Sequence, residues 1–288
     1  MIDRETTGPA PAIQSVVHAT DFSAADERAF SHALAVALLN RARLVLVHVA
    51  TDAHGDWSRF PAVRKTLERW GLLEPNAPQS AVFETVGVSV AKMAISSPFP
   101  ALAVANYLNK ESADLLVVAT EGREGAARWL HGSVAEAMSR WSRTMTLFVP
   151  ADAQRSIVAP EDGSLTLENI LIPVDHAPNA GTAIDFACRM AESVGDGGVT
   201  ITLLHVGDDA DPPSMHLKDG SNWTFQTARR SGEPVDQIIA AAELIRADLI
   251  VMPTAGRAGV FEALRGSTTE RVLRRAPCPL LAIPAARQ

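Results

Sequence analysis

This sequence of 288 residues contains few cysteines and no excess of positive charge. Its two cysteines, Cys188 and Cys278, provide neither a disulfide framework nor a pair with metal-ligand spacing, which is typical of proteins from a reducing compartment. The formal net charge of −7 argues against a nucleic-acid-binding protein, because such proteins usually carry a basic face. We therefore expect neither a secreted disulfide scaffold nor a nucleic-acid partner.

Long apolar runs and a basic leader are also missing. The longest uninterrupted apolar run, Ala33 to Leu39, is far shorter than the roughly 20 residues that span a bilayer. The first residues contain no basic segment followed by an apolar one, so no signal peptide is predicted. We expect a cytoplasmic protein that does not bind membranes. Apolar residues still make up 47% of the chain, which is enough to bury a substantial core.

The most informative feature that is present is an internal repeat. When the sequence is shifted by 134 positions, residues 113–150 match 247–284 at 15 positions without a gap, where chance would give about three. The first parts of the two copies match at larger offsets, 154 at the first strand and 157 at the second. The offset therefore falls by 23 between the second and the fourth strand, so copy one contains about 23 additional residues within 51–97. We therefore predict two homologous domains, 1–150 (copy one) and 167–288 (copy two), joined by a polar linker at 151–166.

Each copy alternates short β-rich apolar runs with helical segments. Continuous apolar runs separated by helices indicate parallel strands that are buried on both faces. We therefore predict an α/β fold with two doubly wound open sheets, each of five mostly parallel strands. The last runs, Thr146–Val149 and Leu280–Ile283, would be exposed edges in separate domains, so we expect the copies to pack through them as an intrachain pseudo-dimer.

A glycine pattern follows the fourth apolar run of each copy. It consists of Gly122, nine residues and Gly132-Ser133 in copy one, and of Gly256, nine residues and Gly266-Ser267 in copy two. Glycine lets a backbone approach a phosphate closely, and the N–H groups at the start of a helix attract anions. In both copies a glutamate follows the serine by three residues, which also fits a capping box that starts a helix without any ligand. The residues alone leave a phosphate cradle and a simple helix start equally open.

Other segments of the two copies correspond as well. They are Ala19-Thr20-Asp21-Phe22-Ser23 and Ile172-Pro173-Val174-Asp175 after the first strand, and Leu46–Val49 and Leu203–Val206 at the second. Copy two also ends its glycine-containing stretch with Arg274–Pro279. Together with the glycine patterns, these segments resemble the tandem type of the universal stress protein family, over nearly the whole chain. The resemblance implies adenine-nucleotide α-hydrolase-like domains, a stress-survival role, and further assembly into a homodimer of tandem chains.

In the nucleotide-binding branch of that family, a Gly-x2-Gly-x9-Gly-Ser/Thr loop holds the ribose and phosphates of ATP, and the aspartate after the first strand faces the adenine. The resemblance therefore implies a site of Asp21, Ala119, Gly122, Gly132 and Ser133 in copy one, and of Asp175, Pro253, Gly256, Gly266 and Ser267 in copy two. The ligand it implies is ATP or another adenine nucleotide, with Mg²⁺. From the residues alone, Asp21 and Asp175 serve equally well as caps of the helices that follow them.

The two sites depart from the family pattern at the first glycine, which is Ala119 in copy one and Pro253 in copy two. Alanine adds one methyl group, whereas proline removes an N–H and fixes φ. Glu121 and Glu124 add negative charge beside the loop of copy one, where copy two has alanines. The sequence favours copy one, because glutamates can point into screening solvent while a proline ring cannot leave its own backbone.

Motifs of efficient catalysis are missing. The sequence contains no Gly-x4-Gly-Lys-Ser/Thr, no Gly-x-Gly-x2-Gly, no His-Glu-x2-His and no Gly-x-Ser-x-Gly. We therefore expect a nucleotide-responsive stress protein that signals to an unidentified protein partner without efficient catalysis. Two alternatives stay open: a ligand-free interaction or scaffold protein that has lost nucleotide binding, and a weak ATPase.

Overall fold

The computed structural model describes residues 13–50, 57–120, 144–194, 198–207, 213, 217, 219–254 and 268–284. The strands in these ranges are β1 (Ser15–Thr20), β2 (Arg43–Ala50), β3 (Val90–Ser96), β4 (Leu115–Thr120), β5 (Met145–Pro150), β6 (Asn169–Val174), β7 (Val199–Val206), β8 (Trp223–Arg230), β9 (Leu249–Thr254) and β10 (Leu280–Pro284). The helices are α1 (Asp26–Asn40), α2 (Val63–Arg69), α3 (Ala81–Val86), α4 (Pro100–Glu111), α5 (Gly181–Val194), α6 (Pro234–Leu244) and α7 (Thr268–Leu273). None of these described helices is long and apolar enough to cross a membrane.

The strands form one ten-stranded sheet in the order β3-β2-β1-β4-β5-β10-β9-β6-β7-β8. Neighbouring strands are parallel except β5 and β10, which run antiparallel and pair Phe148 with Leu280 and Thr146 with Ala282. The predicted α/β fold is confirmed: each copy supplies five parallel strands, and the copies join through their last strands. The two sheets are continuous across that junction.

Helices cover both faces of the sheet, because its central strands direct apolar side chains into two separate cores. In β4, Leu115 and Val117 pack in the core under α1, α2 and α5, while Leu116 and Val118 pack in the core under α4, α6 and α7. Full burial of an apolar side chain of this size stabilises a fold by roughly 1.5–3 kcal/mol. A strand buried on both faces must be apolar throughout, which is why continuous apolar runs predicted parallel strands here.

An aspartate at the start of the fourth strand of each copy holds the beginning of the first strand. Asp114 Oδ2 accepts hydrogen bonds from the backbone N–H groups of Gln14 and Ser15, at 2.8 and 3.0 Å. Asp248 Oδ2 accepts the two equivalent bonds at the start of β6, at 2.7 and 2.9 Å. These bonds satisfy backbone donors that no ladder partner serves, so the repeated Ala-Asp-Leu sequence has a structural role.

The connection between the second and third strands is much longer in copy one than in copy two, spanning 51–89 against 207–222. Its described part, 57–89, contains α2 and α3, and we call it the extra segment. Phe60, Val63 and Leu67 fix α2 in the core beside α1. The domain limits at 1–150 and 167–288 stay predictions.

The linker at 151–166 contacts both copies, and on the copy-two side its Arg155 pairs with Asp248. Trp70 of the extra segment donates from Nε1 to Pro160 O at 3.0 Å, and Arg28 of α1 donates from Nη1 to Ala153 O at 2.7 Å. Gly163 has a φ of +73°, and a Cβ at this position would lie 2.4 Å from the Trp70 ring. Only glycine therefore lets the linker turn pack this closely on the tryptophan.

Candidate functional site

A cavity of about 250 Å³ lies at the carboxyl ends of β6, β7 and β9 in copy two. Asp175 and Pro253, both predicted site residues, form part of its wall together with apolar side chains from β6, β7 and α6. Thr254, Thr268 and Thr269 contribute the hydroxyl groups of the wall. The structure therefore brings together the described part of the predicted copy-two site, at the position where parallel α/β sheets bind ligands.

Two prolines account for the opening between β6 and β9. These strands pair at only two positions, ending at Leu171 with Ile250, whereas β1 and β4 pair at four. Pro173 and Pro253 follow on the two strands, and neither has an N–H to donate to a sheet ladder. The sheet consequently parts where the cavity begins. Sequence reasoning did not assign a role to Pro173, although a proline inside a strand-like run was a signal of this gap.

The carboxylate of Asp21 takes part in a local turn at the end of β1. Asp21 is exposed, and its Oδ1 accepts a hydrogen bond from Ser23 N at 2.9 Å. The N-cap of α1 is Ala25, which has no side-chain cap bond. The alternative that Asp21 caps the following helix is therefore wrong for the geometry of this turn.

Asp175 occupies the equivalent place in copy two. It is exposed and its Oδ1 accepts a hydrogen bond from His176 N at 2.7 Å. The first N–H of α5, that of Gly181, donates instead to Asn179 Oδ1 at 2.7 Å. The capping alternative is wrong here as well, and Asp175 lines the cavity with accepting capacity to spare on its carboxylate.

Ala119 and Pro253 lie at equivalent positions, each one residue before the threonine that ends its strand. Ala119 pairs with Val149 and Pro253 pairs with Ile283, and both residues are half-buried. The remaining predicted residues lie outside the described ones: Gly122, Gly132 and Ser133 within 121–143, and Gly256, Gly266 and Ser267 within 255–267. Because β5 and β10 are antiparallel, the strands of the two copies point in opposite directions, and their carboxyl ends lie on opposite sides of the molecule along the strand direction.

A histidine near the end of the second strand of each copy forms a hydrogen bond to the end of the first strand. His48 Nδ1 lies 2.8 Å from Thr20 O, and His205 Nδ1 lies 3.2 Å from Val174 O. A carbonyl oxygen can only accept, so each ring donates from Nδ1. These contacts link the second strand to the end of the first, as expected of hydrogen-bonded residues at the edge of the core.

The two cysteines are poor nucleophiles. Burial raises the pKa of Cys188 to about 11 and the pKa of Cys278 to about 12. At neutral pH both thiols are therefore protonated, and the thiolate is the reactive form. Covalent chemistry at these positions is not supported.

Comparison with known proteins gives a consistent result. A model of the universal stress protein family matches residues 12–150 and 224–284. A universal stress protein of Methanocaldococcus jannaschii is 44% identical over 142 residues, covering 45% of this chain and 81% of the relative. The crystal structure of a universal stress protein from Archaeoglobus fulgidus covers 94% of this chain and 97% of its own, with a TM-score of 0.59 and 16% identity. A universal stress protein in complex with cAMP covers 49% of this chain and 99% of its own, with a TM-score of 0.36 and 23% identity. The family model and the archaeal relative show that this chain belongs to the universal stress protein family.

Proposed function

We propose that this chain binds an adenine nucleotide at the carboxyl ends of its strands, without efficient turnover, and that a protein partner responds to the bound state. The cavity at Asp175 and Pro253 carries this proposal, because it combines apolar walls with a single carboxylate. The half-buried Pro173 and Val206 offer apolar surface to a planar base, and Asp175 can accept a hydrogen bond from an exocyclic amino group.

The phosphates of such a ligand are assigned to the threonine end of the cavity. Thr268 and Thr269 line it there, immediately after the segment that holds Gly256, Gly266 and Ser267. The described residues contain no cluster of three or more His, Cys, Asp or Glu that could hold a metal ion. We therefore expect Mg²⁺ to arrive on the phosphates, which is how this ion commonly binds to nucleotide sites.

Two matched variants test the proposal. Gly132→Val and Gly266→Val each place a branched side chain beside the proposed phosphates of one copy. Because the cavity lies in copy two, we expect Gly266→Val to weaken ATP binding at least about tenfold, equivalent to roughly 1.4 kcal/mol. A larger loss from Gly132→Val would show instead that the milder departure from the family pattern, Ala119 rather than Pro253, decides which copy binds. Titration calorimetry measures both affinities, and circular dichroism confirms that each variant is folded.

Two further measurements separate nucleotide binding from the alternative functions. Mass spectrometry of the denatured, freshly purified protein should detect an adenine nucleotide, and labelled ATP should show no efficient turnover with or without Mg²⁺. Absence of nucleotide, with no effect of either variant, would favour the ligand-free interaction protein, for which the proline at position 253 is the supporting observation. A larger loss from Gly266→Val would show that the cavity opened by the prolines, not the milder alanine, decides which copy binds.

A further inference from the structure

A second cavity, of about 380 Å³, lies in copy one between α1 and α2. It lies on the sheet face that carries α1, whereas the cavity at Pro253 lies against α6 on the other face. Its walls come from the end of β1, the start of α1 and the extra segment. The equivalent connection in copy two is much shorter, and the part of it that the structure describes contains no helix corresponding to α2. The volume of the cavity is within the range of small-molecule sites, roughly 300–1,000 Å³.

The wall contributed by β1 and α1 is polar only in copy one. Thr20, Ser23, Asp26 and Glu27 line the cavity, and a shift of 154 positions places them on Val174, Ala177, Ala180 and Gly181 of copy two. Each polar residue therefore has a residue without polar side-chain atoms as its counterpart. The polar wall occurs in the copy that has the extra segment, which indicates that the two belong to one feature.

The opposite wall is basic. Arg59, Lys65 and Arg69 line the cavity from the extra segment. Arg69 Nη1 lies 3.2 Å from Glu27 Oε1, so this pair is compensated. Arg59 and Lys65 form no ion pair with any residue that the structure describes. Arg59 is held instead over the Phe22 ring, with its guanidinium carbon 4.7 Å from the ring centroid.

The remaining carboxylate, Asp26, is already engaged inside the protein. It is 5% exposed, accepts a hydrogen bond from the Thr20 hydroxyl, and has His18 Nε2 at 3.5 Å from its Oδ1. With Glu27 and Asp26 both partnered, the charges of Arg59 and Lys65 dominate the open part of the cavity. Charge-assisted hydrogen bonds from such side chains to phosphate or carboxylate are among the strongest in proteins.

The cavity is also preformed. Phe60, Val63 and Leu67 are buried at 3, 6 and 0% exposure and anchor the backbone that presents the basic side chains. Binding to fixed elements avoids the cost of ordering them.

We propose that this cavity binds a small organic anion whose head group is a phosphate monoester or a dicarboxylate. Lys65 and Arg59 bind the head group, and the half-buried Ser23 offers a hydroxyl to the rest of the molecule. The site is independent of the adenine nucleotide proposed above, since it uses other residues on the other face of the sheet.

Titration calorimetry on the full chain tests this proposal with glucose 6-phosphate, succinate, inorganic phosphate and uncharged glucose. We expect glucose 6-phosphate or succinate to bind and glucose not to bind. Lys65→Gln and Arg59→Gln should each weaken binding about fivefold or more. The matched control is Arg64→Gln, an exposed residue of the same helix that pairs with Glu68 at 3.5 Å and does not line the cavity. It should change the affinity less than about twofold.

The outcomes are distinct. Binding of glucose 6-phosphate alone would identify a phosphorylated ligand, and binding of succinate alone would identify a dicarboxylate. Failure of both anions to bind would overturn the proposal, as would an equal loss in the Arg64→Gln control. Inorganic phosphate that binds as tightly as glucose 6-phosphate would overturn the assignment to an organic ligand. None of these probes contains adenine, so the result does not depend on nucleotide binding.

Discussion

His32, in the middle of α1, links the stability of this protein to pH. The side chain is 1% exposed, its Nδ1 lies 2.8 Å from Arg28 O, and its Nε2 lies 3.4 Å from the hydroxyl of Ser156 in the linker. Burial lowers the pKa of His32 from 6.5 to about 4, with the charge of Arg28 acting in the same direction. The imidazole of the folded protein therefore stays neutral near pH 6.5, where the unfolded chain already begins to bind a proton.

The sign and size of the effect follow from that shift. Between the two pKa values the unfolded state binds more protons than the folded state, so acid favours unfolding. The contribution of His32 is fully present above pH 6.5 and is lost as the pH falls toward 4. One unit of pKa corresponds to about 1.4 kcal/mol, so the loss between pH 7.5 and pH 5 is about 2 kcal/mol.

We expect His32→Asn to remove this part of the pH dependence, because asparagine retains a donor for the Arg28 carbonyl but does not titrate. Urea unfolding at pH 7.5 and pH 5, followed by circular dichroism, gives the change in unfolding free energy for each protein. The control is Ser156→Ala, which should keep the wild-type pH dependence, since burial and not the hydroxyl causes the shift. An unchanged pH dependence in His32→Asn would show that the buried imidazole is not the responsible group.

Two further predictions concern the folded core. Asp248→Ala should lower the unfolding free energy by about 3 kcal/mol and Asp114→Ala by about 1–2 kcal/mol. The loss is larger for Asp248 because this residue is 1% exposed and also accepts a hydrogen bond from Arg155 Nε at 2.5 Å. Urea unfolding of both variants measures the difference, and equal losses would show that the arginine does not contribute to stability. Cys278 should not react with iodoacetamide at pH 8 in the folded protein and should react in urea, because its side chain is 0% exposed and burial raises its pKa to about 12. Peptide mass spectrometry measures the labelling, and rapid labelling of the native protein would show that the thiol is not buried.

The fold could be predicted because its signals are local and occur twice. An apolar run such as Leu115–Val118 has few alternatives to a buried parallel strand, and the same reasoning applied to Leu280–Ile283 identified an edge that needed a partner. The repeat then doubled every observation. Strands of this kind are short segments whose continuous apolar character the sequence displays directly.

The details of the sites depend on contacts that the sequence does not display. The capping interpretation of Asp21 was wrong because the chain makes a turn to Ser23 before α1 begins, and residue types do not distinguish these two geometries. The cavity beside α1 was missed because its basic wall comes from the extra segment, far along the chain from Thr20. Folding alone brings those two walls together.

The junction between β5 and β10 has a consequence for how the protein can evolve. In a homodimer built from one gene, any substitution appears in both subunits, so each must suit both halves of the symmetric assembly. Covalent fusion removes that constraint. Copy one can hold His18, Thr20 and Asp26 in a buried polar cluster while the aligned positions of copy two are Ile172, Val174 and Ala180. One half is thereby free to keep an ancestral site while the other acquires a new one, within a single continuous sheet.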